Sequence, residues 1–196
     1  SLPSRGLGDV YKRQVSGISV GGLPDGIIQS ADLATGTGGK ILQVVSTTKT
    51  DTASFASANT SNFTDISGLS VSITPSSTSS KILVVATVAA AVGTGSLHVR
   101  LARGSTGIAV GDSSSNRQSS TMSRRTQSSI YNLEITPMSF NFLDSPNTTS
   151  ATTYKVQATA GSTYDTTVYV NRSSGDNDYS YGARVASTIT VMEVAA

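Results

Sequence analysis

The stretch Leu69-Ser70-Val71-Ser72-Ile73-Thr74 decides the fold class, because apolar and hydroxyl side chains alternate along it without a break. Successive side chains of a β-strand point to opposite faces of a sheet, so this stretch predicts a strand with one buried and one exposed face. The same period of two recurs at residues 138–142 and 154–159. Strands that bury only one face are typical of antiparallel sheets, and we expect such sheets here.

On either side of this stretch, strand-like runs divided by Ser, Gly, Asn and Asp clusters recur at a spacing typical of a sandwich or barrel. The candidate strands are residues 41–48, 62–66, 69–74, 82–92, 96–103, 108–112, 130–135, 138–144, 153–160, 166–171 and 185–194. The composition does not favour helices, since only 13% of the 196 residues are charged and glutamate occurs only at Glu134 and Glu193. The sequence therefore predicts an all-β fold: an antiparallel β-sandwich of the jelly-roll type over residues 41–196, with a short extended N-terminal lead-in.

Residues 82–92 form the longest apolar run, and they differ from the other candidates in being apolar on both faces. The run narrows to the small side chains Ala89-Ala90-Ala91 near its end. One interpretation is a central strand packed under a loop. Another is a strand whose outer face lies on a symmetry axis between subunits, where small residues allow close approach. The run is far shorter than the roughly 20 residues of a membrane-spanning helix, so no membrane insertion is expected.

The N-terminal residues need separate treatment, because Ser4-Arg-Gly-Leu-Gly-Asp-Val-Tyr-Lys-Arg-Gln14 resembles the translation of a transposon-based sequencing adapter. We expect residues 1–14 to be an artefact rather than part of the natural protein. Residues 15–40 are Gly-rich and weakly apolar, which predicts a linker, or a stalk segment ordered only by winding around identical chains. The net charge of +2 and the pI of about 9.0 depend on the basic residues of 1–14, so no nucleic-acid partner is expected.

Two polar stretches, residues 113–129 and 173–181, are the candidate binding loops. Loops mounted on a rigid sandwich usually carry recognition, so both stretches predict ligand-binding residues. The eight candidates are Arg117, Arg124, Arg125, Asp176, Asn177, Asp178, Tyr179 and Tyr181. The arginine pair would suit a phosphate or an acidic sugar, or else lies in a solvated loop. Asp176-Asn177-Asp178 offers oxygen ligands but lacks the spaced acids of a calcium-binding loop, so no metal site is predicted.

Residues able to carry catalysis are few. The chain has no cysteine, which excludes disulfides, thiolate metal sites and thiol nucleophiles. The only histidine, His98, shares a strand face with Arg100, which indicates a solvent-facing or interface side chain rather than a catalytic base. The paired carboxylates of a glycosidase would have to come from acids such as Asp65, Asp112 and Asp144, which lie near strand ends, where Asp is ordinarily a turn residue. We therefore predict no enzymatic activity, no catalytic residue and no cofactor.

Several segments together resemble the C-terminal regions of tail-fibre and other virion structural proteins of marine bacteriophages. They span nearly everything after residue 15 in consistent order: Gly22-Leu-Pro-Asp-Gly26, Ala31-Asp-Leu-Ala34, Gly39-Lys-Ile-Leu-Gln-Val-Val45, Leu69-Ser-Val-Ser-Ile-Thr-Pro-Ser-Ser76, Ser79-Ser-Lys-Ile-Leu-Val84, Leu143-Asp-Ser-Pro146, Thr153-Tyr-Lys-Val-Gln157 and Ala186-Ser-Thr-Ile-Thr-Val-Met-Glu193. The resemblance implies a jelly-roll head at the end of a homotrimeric fibre, preceded by a stalk-like segment and located in the virion. It brings no defined catalytic residues with it.

The expected function is host attachment: a distal tail-fibre domain that binds a bacterial surface glycan or protein, with upstream fibre or tail proteins as partners. Display in three copies would raise the effective affinity of a weak site without new contacts. Two alternatives stay open, namely a fibre-borne or secreted carbohydrate-active enzyme and a bacterial secreted adhesin or carbohydrate-binding module of similar fold. Release of reducing ends from a host polysaccharide would favour the enzyme, and the neighbouring genes would separate an adhesin from a phage protein.

Overall fold

The computed structural model describes residues 40–57, 62–126, 133–161 and 167–196, and within them the chain forms eleven β-strands and no helix. The strands in chain order are β1 (Ile41–Lys49), β2 (Ala53–Ala56), β3 (Thr64–Ile73), β4 (Lys81–Ala91), β5 (Gly95–Arg103), β6 (Thr106–Ile108), β7 (Met122–Thr126), β8 (Thr136–Asp144), β9 (Thr152–Gly161), β10 (Thr167–Val170) and β11 (Ser187–Val194). Except for Lys40, the N-terminal residues lie outside this description, and with them the interpretations of 1–14 as an adapter artefact and of 15–40 as a linker or stalk.

Sheet A is built around β4, which is antiparallel to all of its neighbours. One edge of β4 pairs with β8 over residues 82–90. The other edge pairs with β11 over residues 81–87 and then with β10 at residues 90 and 91. In turn, β1 pairs with β11 and β2 pairs with β10. Because β10 and β11 follow one another along the same edge of β4, the six strands occupy four positions across the sheet.

Sheet B has the antiparallel order β3-β9-β5, and the second edge of β5 pairs with both β7 and β6, so its five strands also occupy four positions. In chain order the eight positions are β1/β2, β3, β4, β5, β6/β7, β8, β9 and β10/β11. The first position pairs with the eighth, the second with the seventh, the third with the sixth and the fourth with the fifth. The chain is thus one long antiparallel ribbon folded into two layers, which confirms the predicted antiparallel β-sandwich.

The core lies between the two sheets and follows the alternation that predicted it. Leu69, Val71 and Ile73 of β3 are buried, whereas the hydroxyl residues between them are exposed. Met138 and Phe140 of β8 face the same core from sheet A. Burying an aliphatic or aromatic side chain of this size contributes about 1.5–3 kcal/mol, so the period-two pattern is also the main source of stability.

The apolar strand β4 is central, as one of the two interpretations of residues 82–92 requires. Its inward side chains, including Ile82, Val84 and Val88, are fully buried. Its outward side chains differ, because Ala89 and Ala91 are buried whereas Val85 is 39% exposed. Among the described residues, nothing covers Val85, and the second interpretation, a contact between subunits, stays a prediction.

Two strands, β2 and β7, are not predicted by the sequence pattern. Residues 113–129 are expected to be a surface loop, yet they contain β7, which pairs with the edge of β5. Four of its five residues are exposed, so the strand buries neither face and its sequence shows no alternation. Pairing with a neighbour, rather than local pattern, makes this segment a strand.

Candidates 62–66 and 69–74 prove to be a single strand, β3, with an irregular register between Asp65 and Ser70. Within this irregularity Gly68 adopts a φ of +79°, which glycine tolerates without strain. In the sequence this glycine indicates a turn, but in the structure it lies within an irregular stretch of one continuous strand.

Three other predicted boundaries are wrong. In place of candidate 108–112, β6 spans Thr106–Ile108, and the chain turns away at Ala109, whose φ is +53°. In candidate 130–135, residues 133–135 form no strand and the remainder lies outside the description. The last strand begins at Ser187 rather than at residue 185. In each case the error falls where a strand meets a loop, which local pattern defines least well.

Candidate functional site

The loop between β10 and β11, residues 171–186, carries five of the eight predicted binding residues, and Asn171 fixes its base. Asn171 is fully buried and has a left-handed φ of +59°. Its backbone N–H donates to the carbonyl of Ala89 at 2.9 Å. Its side-chain amide donates to the carbonyls of Lys49 at 2.8 Å and Asp51 at 2.9 Å. Its side-chain carbonyl accepts from Ser187 Oγ at 2.6 Å, so one side chain joins three parts of sheet A.

A second set of hydrogen bonds closes the base of this β10–β11 loop. The Ala89 N–H donates to Ser187 Oγ at 3.0 Å, and the Val185 N–H donates to the Asn171 carbonyl at 3.2 Å. Buried polar groups that are paired in this way hold a single geometry, because any rearrangement would leave them unsatisfied. The two ends of the loop therefore meet at a fixed point, and its tip is presented from a rigid base.

Asp176 braces the middle of the loop. Its carboxylate accepts a hydrogen bond from Arg184 and lies 3.3 Å from Nη1 of Arg172. The hydrogen bond from Arg184 and the positive charges of both arginines hold the pKa of Asp176 below its ordinary value. The Arg172 guanidinium also lies over the ring of Tyr169, 4.6 Å from its centroid. The Asp176 carboxylate is therefore neutralised by two side chains of its own chain.

Tyr179 and Tyr181 stack at the tip of the loop, with ring centroids 5.0 Å apart and ring planes at 17°. They are 51% and 72% exposed. The turn that presents them is closed by hydrogen bonds from the Tyr179 N–H to the Asn177 carbonyl (3.0 Å) and from the Gly182 N–H to the Tyr179 carbonyl (2.8 Å). A Cβ atom at position 182 would lie 3.1 Å from the Tyr179 carbonyl oxygen, so glycine allows this close turn. The result is an apolar aromatic surface edged by two hydroxyl groups.

A shallow depression of about 260 Å³ lies beside the tyrosine pair. Its walls come from the β10–β11 loop alone: Ser173, Asp176, Asn177, Asp178, Tyr179, Gly182, Ala183 and Arg184. Small-molecule pockets usually begin at about 300 Å³, so this depression suits a small polar ligand or one end of a larger one. The fold thus brings together the five predicted binding residues of the stretch 173–181. Four of them line the depression, and the fifth, Tyr181, stacks on Tyr179.

The three predicted arginines lie elsewhere. Arg117 belongs to a tight turn, in which its N–H donates to the Ser114 carbonyl at 3.0 Å. Arg124 and Arg125 lie on β7 at the edge of sheet B, where Arg124 forms an ion pair with Glu134. No hydrogen bond or ion pair between described residues joins these arginines to the five candidates of the β10–β11 loop. The eight predicted residues therefore divide into separate groups and do not form one site.

Of the three acids considered for glycosidase chemistry, Asp65 and Asp144 are engaged in ion pairs, and Asp112 is exposed. Asp65 lies 2.6 Å from Lys155 Nζ, and Asp144 lies 2.8 Å from Arg103 Nη1. Asp65 belongs to sheet B and Asp144 to sheet A. His98 lies on the outer face of sheet B, where burial lowers its pKa. Asp65 and Asp144 are thus held in structural contacts on different sheets and do not converge on a common cleft.

Asp176 and Asp178 are the two carboxylates of the β10–β11 loop. Among the residues that the structure describes, no group of three or more His, Asp or Glu side chains is placed to hold a metal ion. In the same part of the chain, no helix is long and apolar enough to cross a membrane.

Three residues that build the loop are not singled out by the sequence: Asn171, Arg172 and Arg184. The one local signal concerns Asn171, because asparagine directly after a strand is a residue that tolerates the left-handed conformation. Arg172 and Arg184 have no such signal. They meet at Asp176 only because the loop folds back on itself, which spacing along the chain does not reveal.

Comparison with models of known protein families finds none that matches this chain. A search among curated proteins likewise finds no significant match. The function of the β10–β11 loop therefore has to be inferred from its own geometry and chemistry.

Proposed function

We propose that this chain is the distal head of a bacteriophage tail fibre, a virion structural protein that attaches the phage to a bacterial surface glycan. The observation that carries the proposal is the stacked, exposed pair of Tyr179 and Tyr181 on a loop with a buried, hydrogen-bonded base. Exposed aromatic rings gain little for folding, so their rigid presentation favours recognition. The similarity of the chain's segments to marine phage tail-fibre proteins supports the same function.

The chemistry of the β10–β11 loop suits a sugar. Sugar rings have an apolar face of C–H groups and a rim of hydroxyls. The tyrosine rings offer a surface for the face, while Asn177, Asp178 and Arg184 offer acceptors and donors for the rim. The charges of Arg172 and Arg184 balance those of Asp176 and Asp178. A site without excess charge fits a neutral glycan better than a phosphate or an acidic sugar.

The jelly-roll form of the sandwich is part of this proposal. Its support is the nested pairing of the eight strand positions, in which a long antiparallel ribbon wraps into two four-stranded layers. Two Greek keys combine in the same manner in a jelly roll, and this architecture recurs in capsid and lectin-like domains. Such a head needs no catalytic group, and its partners are the bacterial surface and the upstream fibre or tail proteins.

In a homotrimeric head, three copies of the site could bind the same bacterial surface together. The depression is small and open to solvent, so a single copy would bind weakly. Three copies linked in one fibre turn the second and third contacts into intramolecular events, which raises avidity without any new contact.

Replacing Tyr181 with alanine is expected to remove glycan binding while leaving the fold intact, because the side chain is 72% exposed. On an array of bacterial surface glycans probed with the full chain, Tyr181→Ala and Tyr179→Ala should each lose about tenfold or more in affinity, since truncating a central interface residue costs more than about 1 kcal/mol. Arg117→Ala is the matched control, because it changes another exposed turn outside the site. Thermal unfolding should be the same for all variants.

Equal binding by the wild type and Tyr181→Ala would contradict this site. Binding of the wild type to bacterial surface proteins but to no glycan would overturn the ligand class. Release of reducing ends from a host polysaccharide by the wild type would replace the proposal with the carbohydrate-active enzyme.

A further inference from the structure

A row of apolar side chains crosses the outer face of sheet A. The register places Val44 opposite Met192, Met192 opposite Leu83, and Leu83 opposite Leu143. Val44 and Leu143, at the two ends of the row, are 55% and 53% exposed. Side chains directly opposite on neighbouring strands lie about 4.5–5.5 Å apart, so these four form a continuous stripe across four strands. This is the outer-face stripe.

On one side of the stripe the surface is uncharged and some of its hydroxyls pair with each other, whereas the row on the other side carries Lys81, which donates a hydrogen bond to Ser145 Oγ at 2.7 Å. On the uncharged side, the neighbouring row adds Val85, which is 39% exposed, and the other outer positions of the next two rows are Ser, Thr and Asn. Ser46 Oγ lies 2.8 Å from Thr190 Oγ1, and Thr87 Oγ1 lies 2.9 Å from Ser139 Oγ. Removing hydroxyl groups from water costs less free energy when they are hydrogen-bonded to each other than when they are unpaired. Apart from Lys81, this face can therefore be covered at small polar cost.

The outer face of sheet B has a different character. It carries the Asp65–Lys155 ion pair, and the Arg100 guanidinium lies over the Phe63 ring, 4.2 Å from its centroid. Thr159, although it points outward, is fully buried and accepts a hydrogen bond from Ser57 Oγ at 2.7 Å. Ser57 and Phe63, at the two ends of the connection from β2 to β3, thus cover part of sheet B. Of the two outer faces, that of sheet A is the one that offers a bare apolar surface.

We propose that the outer-face stripe is the contact between copies of this chain in the trimeric head, an inference that rests on the proposed fibre function. The low charge of this face, on which Lys81 is the one charged side chain in the rows described above, favours a copy of the chain as the occupant. Symmetry brings identical surfaces together around an axis, and a charged face would meet its own like charges there. The four apolar side chains and the paired hydroxyls beside them meet no such penalty, and only the Lys81 ammonium, at the first residue of β4, has to lie away from its own copies.

The point of chain entry favours the same occupant. The 39 residues before Lys40 end at the start of β1, where the Lys40 carbonyl accepts a hydrogen bond from the Ala195 N–H at 2.8 Å. Val44 follows four residues later, about 13 Å along an extended strand at about 3.3 Å per residue. When three stalk segments enter one fibre together, their heads meet beside the entry points. The outer-face stripe is the apolar surface that lies there.

The first test is the mass of the full chain in solution, measured by light scattering at micromolar concentration. We expect the wild type to have three times the chain mass of 20.1 kDa, and Leu143→Asp to have the mass of one chain. Ser70→Asp is the matched control, because it places the same charge on an exposed position of sheet B, and it should remain trimeric. Circular dichroism and thermal unfolding show whether each variant is folded.

The outcomes separate the inference from the function on which it rests. A monomeric wild type overturns both the trimeric head and this contact. A trimeric wild type with a trimeric Leu143→Asp variant overturns the contact alone. Glycan binding through Tyr181 is read on the array and does not depend on either result.

A second variant tests the contact without adding charge. Because the chain has no cysteine, Val44→Cys carries a single thiol, whose reaction with a maleimide reports exposure. We expect slow labelling in the trimer and fast labelling after dilution to the monomer, whereas Ser70→Cys should label fast at both concentrations. Fast labelling of Val44→Cys in an intact trimer would show that the stripe faces solvent and would overturn the inference.

Discussion

Asn171 shows how one buried amide can place a binding loop. Asparagine accepts the left-handed φ of +59° more readily than most residues, and its amide group supplies both donors and an acceptor. The donors reach the carbonyls of Lys49 and Asp51, at the break between β1 and β2, while the acceptor holds the first residue of β11. The backbone conformation and the side-chain hydrogen bonds of Asn171 contribute separately to the free energy of unfolding, and two substitutions distinguish them.

Asn171→Gly keeps the left-handed conformation but removes the side chain. We expect it to lower the free energy of unfolding by about 2–4 kcal/mol, because several buried polar groups lose their partner. Asn171→Ala should cost about 1 kcal/mol more, since alanine is strained at this φ. Urea unfolding followed by circular dichroism measures both. A glycine variant as stable as the wild type would show that the side chain does not hold the loop base.

Glu193 links three elements of the fold and is fully buried. From β11, its carboxylate accepts hydrogen bonds from the Gln43 side chain of β1 at 2.6 Å and from the Ser76 N–H and hydroxyl, in the β3–β4 turn, at 2.7 Å and 2.6 Å. Burial by itself raises the pKa of Glu193, but the hydrogen bonds from Ser76, Gln43 and Ser80 outweigh it and hold the pKa at about 2. The carboxylate is a structural link rather than an acid poised for catalysis.

This link predicts how stability depends on acid. Because the folded-state pKa of about 2 lies below the ordinary value of 4.5, Glu193 contributes fully above about pH 4.5 and loses its contribution as the pH falls towards 2. Glu193→Gln should be less stable by about 2 kcal/mol at pH 7, since it removes hydrogen bonds to a charged group. The deficit should shrink towards pH 2 in urea unfolding at a series of pH values.

The control is Asp112→Asn, which changes an exposed acid and should follow the wild-type curve. A Glu193→Gln deficit that is the same at pH 7 and pH 2 would contradict the acid linkage.

A buried polar contact joins the two sheets. Asp144 belongs to sheet A, while Arg103 and Tyr154 belong to sheet B. The Tyr154 hydroxyl donates to Asp144 at 2.6 Å, and Arg103 Nη1 reaches both carboxylate oxygens. Burial and the neighbouring carboxylate raise the pKa of Tyr154, which keeps its hydroxyl protonated as a donor.

Tyr154→Phe removes this donor and keeps the ring. We expect a loss of about 1–2 kcal/mol in the free energy of unfolding, because a hydrogen bond to a charged, buried acceptor disappears while the packing stays. Tyr169→Phe is the control, since it removes a hydroxyl from a partly exposed tyrosine at the outer face. Denaturant unfolding measures both, and equal stabilities of the two variants would mean that the contact between the sheets contributes nothing.

Much of the fold follows from short patterns in the sequence. The alternation at residues 69–74, 138–142 and 154–159 predicts strands because a half-buried strand needs only its own period of two. The same reasoning misses β7, which has no apolar face, and divides β3 at Gly68. In the candidate site, the exposed polar residues of the β10–β11 loop are predicted, while the buried Asn171 and the arginine pair around Asp176 are not.

By itself the sequence determined the class of the fold, the faces that form the core and the loop that carries the tyrosine pair, since each depends on residues close together in the chain. The tertiary structure alone decided which strands pair and in what register. That register aligns Val44, Met192, Leu83 and Leu143 in one stripe, although they come from four distant strands. Pairing depends on the closure of long loops and on the match between whole faces, and no local pattern encodes either.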